Sequence, residues 1–277
     1  MLVNSGEILK AAREGGYALP APDYIDADSA RTFVRVAEEL NKPLLLSWAQ
    51  VFGSFFPIDE AAAIGRVLGE KAGVPVVLHL DHGTDVATVK QALELGFTSV
   101  MIDASDKPLE ENIAVTHEVV ALAHAVNATV EAEIGHVGQG ENFIGASSEA
   151  SVYTQPEEAI LFARETGVDS LAVSIGTVHG IYKGLQHPVL SFDILHTLAK
   201  EVSVPLVLHG GSGTGEENLH RCATEGISKI NIYTDFLTSA MRRISADMPK
   251  DYLAVKRTAD AGMAETLRRY YKVFDKD

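Results

Sequence analysis

Short apolar runs punctuated by glycine and proline alternate along the chain with stretches whose apolar residues recur every three or four positions. The runs predict strands over residues 17–19, 43–47, 76–80, 99–102, 129–133, 170–174, 205–208 and 229–232. Between them the helical spacing predicts helices that include 30–40, 60–71, 86–95, 109–125 and 157–165. The strands read as continuous apolar runs rather than alternating ones, as parallel strands covered on both faces do. Eight such strands, each followed by a helical pattern, predict a single domain over 1–277: an α/β fold of the (β/α)8, or TIM-barrel, type. Gly73, Gly96, Gly167 and Gly226 stand where the preceding helices should stop. Two further helical stretches, 236–246 and 252–272, exceed what closure requires and are expected to cover the barrel or mediate assembly. A doubly wound open sheet is the competing arrangement, but the chain has no Gly-x-Gly-x-x-Gly turn to support it.

Composition narrows the chemistry. The 277 residues are 46% hydrophobic and 22% charged, enough to bury a large core. A formal net charge of -15 argues against nucleic acid or an anionic membrane as a partner, because either needs a basic face. Met1 to Glu7 carries no basic segment leading into an apolar one, and no stretch offers about 18 apolar residues in a row, so a cytoplasmic location is expected. Cys222 is the only cysteine. It leaves no internal disulfide and no thiolate-rich metal site, so a metal here would be held by imidazole and carboxylate.

Polar residues cluster where predicted strands end, which is where a parallel barrel keeps its chemistry. His79-Leu80-Asp81-His82-Gly83 closes strand three, His179 follows strand six, and His209-Gly210-Gly211-Ser212-Gly213 closes strand seven. Three imidazoles with an open position is a common catalytic zinc arrangement. Alternation puts His79 and Asp81 on one side of their strand, with His82 entering the loop. Asp103, Glu131 and Glu133 are acids within apolar strands, costly unless paired, hydrogen-bonded or metal-bound. Glu131 can be read as a satisfied structural acid, whereas Asp103 and Glu133 suit the metal pocket or its surroundings. Of the other histidines, His117, His124, His196 and His220 fall in helical stretches and His187 in a loop. The glycine-rich segment from Gly135 to Gly145, which contains His136 and Glu141, reads either as a surface loop or as a lid carrying a catalytic acid. Gly210 to Gly213 and Asn231 to Asp235 suit phosphate, which barrels often bind after strands seven and eight.

These motifs resemble the class II, zinc-dependent fructose-bisphosphate and tagatose-bisphosphate aldolases. The match runs through His79 to Gly83, Val130 to Gly135 with Gly138 and Glu141, Gly176 to Gly180, His209 to Gly213, and Lys229 to Ile232, in order over nearly the whole chain. The resemblance implies reversible aldol cleavage of a ketose 1-phosphate or ketose bisphosphate to dihydroxyacetone phosphate and an aldehyde. It implies His82, His179 and His209 as ligands of Zn2+, with Asp103 and Glu133 lining an alternative, buried metal position. By the same resemblance Asp81 exchanges a proton with the C4 hydroxyl, Glu141 moves the proton at the enediolate carbon, and Asn231 orients the enediolate. Gly180, Gly210, Gly211, Ser212, Asn231 and Thr234 correspond to the dihydroxyacetone phosphate cradle. Carbonyls around His179 and Gly210 correspond to a monovalent cation site, Na+ or K+, found in some relatives. A homodimer or homotetramer is likewise implied.

The chain departs from its relatives at the other end of the substrate. Where many have Phe-Asn, Ser or Thr, Ser-His, Gly-Gly-Glu-Glu and Asp-Pro-Arg, this chain has Pro22-Asp23, Trp48-Ala49, Ser105-Asp106, Gln139-Gly140-Glu141 and Met248-Pro249-Lys250. Asp23 and Lys250 are therefore expected to meet the aldehyde half, and the substrate to be a ketose 1-phosphate whose far end is not a phosphate. Lys183 offers a Schiff-base route, but nothing near it in the sequence suggests a desolvated lysine. Two other functions fit the same barrel: a zinc hydrolase or epimerase with Asp81 as base, and a sugar-phosphate-binding protein without turnover.

Overall fold

The computed structural model describes residues 1–135, 153–177 and 188–276. Its strands are β1 (Leu19–Pro22), β2 (Leu44–Ala49), β3 (Val76–Gly83), β4 (Ser99–Ile102), β5 (Thr129–Ile134), β6 (Ser170–Val173), β7 (Leu206–Leu208) and β8 (Ile227–Ile232). All pair in parallel, in the order β1-β8-β7-β6-β5-β4-β3-β2. The last seam, between β1 and β2, is held by a parallel bridge from Asp23 to Ser47, where the Tyr24 amide donates to the Ser47 carbonyl at 2.9 Å. An eight-stranded barrel results, and the open doubly wound sheet is excluded. Nearly every strand residue is buried, which explains the continuous apolar runs.

The helices are α1 (Gly6–Gly15), α2 (Ala27–Leu40), α3 (Ile58–Lys71), α4 (Val86–Glu94), α5 (Leu109–His124), α6 (Pro156–Thr166), α7 (Phe192–Glu201), α8 (Glu216–Glu225), α9 (Thr234–Asp247) and α10 (Tyr252–Val273). A 3-10 turn, Gln50–Ser54, follows β2. The two C-terminal helices cover the barrel, as expected. α10 packs on α9 and α2, and its C-terminal end reaches the barrel floor. There Tyr271 Oη donates to the Pro43 carbonyl at 2.7 Å, and the Phe274 carbonyl accepts from the Ala18 amide at 3.1 Å. Among the described residues no helix is long and apolar enough to cross a membrane.

Four expectations need correction. β1 lies at Leu19–Pro22 rather than 17–19, because Pro20 and Pro22 are accommodated in a strand that pairs with β8 on one side and only bridges β2 on the other. The helix α1 precedes β1; its polar sequence gave it no place in the strand-helix alternation. Gly96, Gly167 and Gly226 take positive φ at helix ends, whereas α3 stops through Ala72 in an extended conformation, so Gly73 does not act as the stop. Finally, β3 runs through Gly83, so His82 lies within the strand and not in the loop after it.

Candidate active site

The position of His82 within β3 builds the site. The β3–β4 register shifts between Leu80 and Gly83, and His82 sits in the left-handed region at φ 45°. A bulge of this kind re-aims side chains. Asp81 and His82, neighbours that regular alternation would send to opposite faces, both line one cavity of about 630 Å3 at the C-terminal ends of the strands. Left-handed backbone at a non-glycine residue costs of order 1–3 kcal/mol and persists where the surroundings over-determine it. Gly83 fixes the bulge, since a Cβ there would stand 2.5 Å from the Met101 carbonyl oxygen. Gly83→Ala is therefore expected to cost about 1–3 kcal/mol, read as a lower denaturation midpoint; an unchanged midpoint would show that the bulge does not depend on this close approach.

The β7 tip faces β3 across the mouth. His82 and His209 rings stand 4.5 Å apart between centroids, nearly edge to face. Ligand atoms of Asp81, His82 and His209 all lie within 4.8 Å of one another. A second group, His82, Asp103 and Glu133, meets the same limit. His82 Nδ1 is 2.9 Å from Asp103 Oδ2, and Ser105 Oγ donates to Asp103 Oδ1 at 2.7 Å and to Glu133 Oε1 at 3.2 Å. Burial opposes charge on the His82 ring, yet Asp81, Asp103 and Glu133 outweigh it and push the ring up to about 10. Burial likewise opposes charge on Asp103, but the His82 and Ser105 hydrogen bonds hold its carboxyl below the usual range. Surroundings that hold a proton on an imidazole so firmly also suit a metal cation in its place, and imidazole with carboxylate is a donor set for zinc.

A third group, His79, Asp81 and Glu131, has similar spacing. Its cation is already present. Lys229 Nζ, fully buried, lies 2.7 Å from Glu131 Oε2 and 3.2 Å from His79 Nε2, so an ammonium fills the place a metal would take. Burial, then Lys229, drives the His79 pKa well below its ordinary value, and the ring is neutral. Glu131 is thus the satisfied structural acid the sequence allowed, and Lys229 was missed. The signal was there: a lysine inside Ile227-Ser228-Lys229-Ile230, two residues before Asn231, needs a buried carboxylate somewhere.

Asn231 Nδ2 donates to Asp81 Oδ1 at 2.8 Å, crossing from β8 to β3. Gly210, Gly211, Ser212 and Thr234 line the same cavity. The Ser212 hydroxyl accepts from the Tyr233 and Asp235 amides, each at 3.2 Å, and so caps α9, whose own N-cap residue makes no side-chain bond. Gly211 has no room for a Cβ, which would meet the Asn231 carbonyl oxygen at 2.7 Å. These contacts bring the two expected phosphate loops together beside a helix N-terminus. The Gly210 carbonyl, expected to face a monovalent cation, accepts from Thr214 Oγ1 at 3.0 Å.

Asp23 also lines the cavity; it is 8% exposed, and its Oδ1 has no hydrogen-bond partner among the described residues. Burial first, and then the charge of Asp81, raises its pKa well above the ordinary value. Ala49 lines the wall nearby, while the preceding Trp48 turns its indole away to donate to the Phe56 carbonyl at 3.0 Å. Lys250 is exposed at the α9–α10 junction and is not part of the cavity lining. Gln50, Phe52, Thr84 and Tyr233 line the cavity without having been singled out from sequence. His136, Glu141, His179, Gly180, Lys183 and His187 lie outside the described residues. The four helical histidines are where expected, in α5, α7 and α8; His124 bonds Asp169 and His196 bonds Glu225.

The profile of the family described as "Fructose-bisphosphate aldolase class-II" matches residues 3–277. The chain belongs to the class II aldolases. It is therefore a carbon–carbon lyase, as the resemblance implied. It is 35% identical to the D-tagatose-1,6-bisphosphate aldolase subunit GatY of Klebsiella oxytoca, over 98% of this chain and 97% of that one. Among solved structures, the YdjI aldolase of Escherichia coli K12 superposes with a TM-score of 0.89 at 32% identity, covering 100% of this aldolase and 98% of that chain. Fructose-bisphosphate aldolase of Campylobacter jejuni gives 0.80 at 22% identity, with 99% and 95% covered, a likeness of fold.

Proposed function

We propose that this aldolase cleaves a ketose 1-phosphate, with Zn2+, to dihydroxyacetone phosphate and an aldehyde. The observation that carries the reading is the meeting of Asp81, His82 and His209 donor atoms within 4.8 Å of one another, beside the Gly210–Ser212 loop. His82 and His209, with His179 as third imidazole, would hold the metal; Asp103 and Glu133 would serve the alternative position. Bound there, the metal supplies an electrophile for the negative charge that develops on the ketose oxygen as the C3–C4 bond breaks.

Asp81 takes the C4 hydroxyl proton, the C3–C4 bond breaks, and the aldehyde leaves with the new carbonyl. Asn231 holds Asp81 through its amide and so aims the accepting carboxylate. Glu141 returns a proton to C3. The phosphate is bound by amides and hydroxyls of the Gly210–Ser212 loop and by Thr234 at the start of α9, which offsets the acidity of the chain as a whole.

The far end of the substrate follows from the remaining wall. Among the described residues that line the cavity there is no Lys or Arg, while Asp23, Asp81 and Asp103 all face it. Ala49, Val51 and Phe52 add apolar surface. A second phosphate would meet carboxyls and hydrocarbon, so a far end bearing hydroxyls fits better. Steady-state comparison of fructose 1,6-bisphosphate with ketose 1-monophosphates tests this; a strong preference for the bisphosphate would refute it. Because like charges brought together cost several kcal/mol, Asp23→Asn is expected to raise kcat/KM for the bisphosphate relative to the monophosphate by about tenfold at a pH above the raised Asp23 pKa, where the carboxyl is ionised. An unchanged ratio would remove Asp23 from substrate selection.

A further inference from the structure

A set of buried polar groups ends on the candidate metal ligand His209, and its other members have no part in the chemistry above. Ser99, His79, Lys229, Glu131 and His209 are each at most 1% exposed. They form one chain of hydrogen bonds. His79 Nδ1 is 2.9 Å from Ser99 Oγ, Lys229 Nζ bridges His79 Nε2 and Glu131 Oε2 at 3.2 and 2.7 Å, and Glu131 Oε1 is 2.8 Å from His209 Nε2.

Donor and acceptor rules fix the protons along this chain. An ammonium has only donors, so His79 Nε2 is its lone-pair nitrogen and Nδ1 donates to Ser99. A carboxylate has only acceptors, so His209 Nε2 must carry a proton and donate to Glu131. His209 Nδ1 is then the nitrogen able to ligate a metal. Burying a lysine and a glutamate is an expensive way to hold a barrel together, since an apolar pair of similar volume is often as stable or more so. The arrangement does something apolar residues cannot, which is to give His209 an acceptor on one side and so set the tautomer and aim of its ring.

We infer that Glu131 and Lys229 are positioning residues that fix His209 as an Nδ1 ligand and thereby set the affinity of the site for its metal. The inference rests on the metal reading proposed above. Lys229 acts at one remove, pinning Glu131 through one oxygen so that the other stays on His209.

Two double variants separate positioning from mere stability. Lys229→Met with Glu131→Leu removes both charges and the acceptor. Lys229→Met with Glu131→Gln also removes both charges but keeps a carbonyl oxygen facing His209. Both should melt above the single Lys229→Met variant, which leaves a buried carboxylate without its cation. Their Co2+ binding should differ. The Leu double is expected to bind Co2+ about 10–100-fold more weakly, the range found when an outer partner of a ligating histidine is lost, with a changed visible absorption spectrum. The Gln double should recover most of the affinity and the wild-type spectrum. Equal Co2+ affinity in the two doubles would overturn the inference. In the wild-type chain, 15N imidazole shifts should report a proton on His209 Nε2; a proton on Nδ1 overturns it even if neither double variant folds. A wild-type chain that takes up no Co2+ overturns the metal reading and this inference with it, a result distinct from equal binding by the doubles.

Discussion

Asp81→Ala is expected to keep its metal and lose about 10^2–10^4-fold in kcat, the range a positioned acid or base contributes. Asp81 is 3% exposed and shares the cavity with His82, yet its nearest described bond is to the Asn231 amide rather than to an imidazole. Its removal leaves His82 on Asp103 and His209 on Glu131, so the two described imidazole ligands keep their outer partners. Metal content after dialysis should match the wild type while turnover collapses. An active variant would take the proton transfer away from this carboxylate, and a metal-free one would make Asp81 a ligand first.

His209→Ala should fail the other way, losing metal and turnover together. The ring is fully buried, its centroid is 4.5 Å from that of His82, and its Nε2 lies 2.8 Å from Glu131 Oε1. Truncation removes a ligand outright, so metal affinity should fall by more than the roughly 10–100-fold that loss of an outer partner brings. It also strips Glu131 Oε1 of a donor in a buried place, which costs about 1–3 kcal/mol. Titration calorimetry with Zn2+ reads the first effect and thermal unfolding the second. Wild-type affinity in this variant would remove His209 from the metal site. The contrast is the informative part: one variant inactive with metal, the other inactive without it.

The barrel was legible because burial on both faces writes each parallel strand as an apolar run, and eight such runs leave few alternatives. The edges were less so. β1 was misplaced because Pro20 and Pro22 look like strand breakers, yet the weakly paired seam between β1 and β2 tolerates them. The conformation of His82 was invisible for a related reason. Period-two alternation cannot foresee a bulge, and it is the bulge that turns His82 into the cavity beside Asp81.

At the site, residue type carried most of the reading. Histidines and acids at strand ends announced themselves because charge is expensive there. Lys229 was less legible, since a lysine in an apolar strand calls for a buried carboxylate without saying which, and its partners Glu131 and His79 lie on β5 and β3. Partnership across a barrel is a property of closure, not of any one segment. Asp23 shows the same limit: the sequence marked it as a departure, and only the fold gave it a buried carboxyl oxygen with no described partner, under the influence of Asp81.

The most direct test is coupled detection of dihydroxyacetone phosphate released from a ketose 1-phosphate, with and without a chelator and with Zn2+ restored. Release that stops with the chelator and returns with Zn2+ is the predicted result. Release that the chelator leaves untouched, or substrate binding with no release at all, would contradict the account.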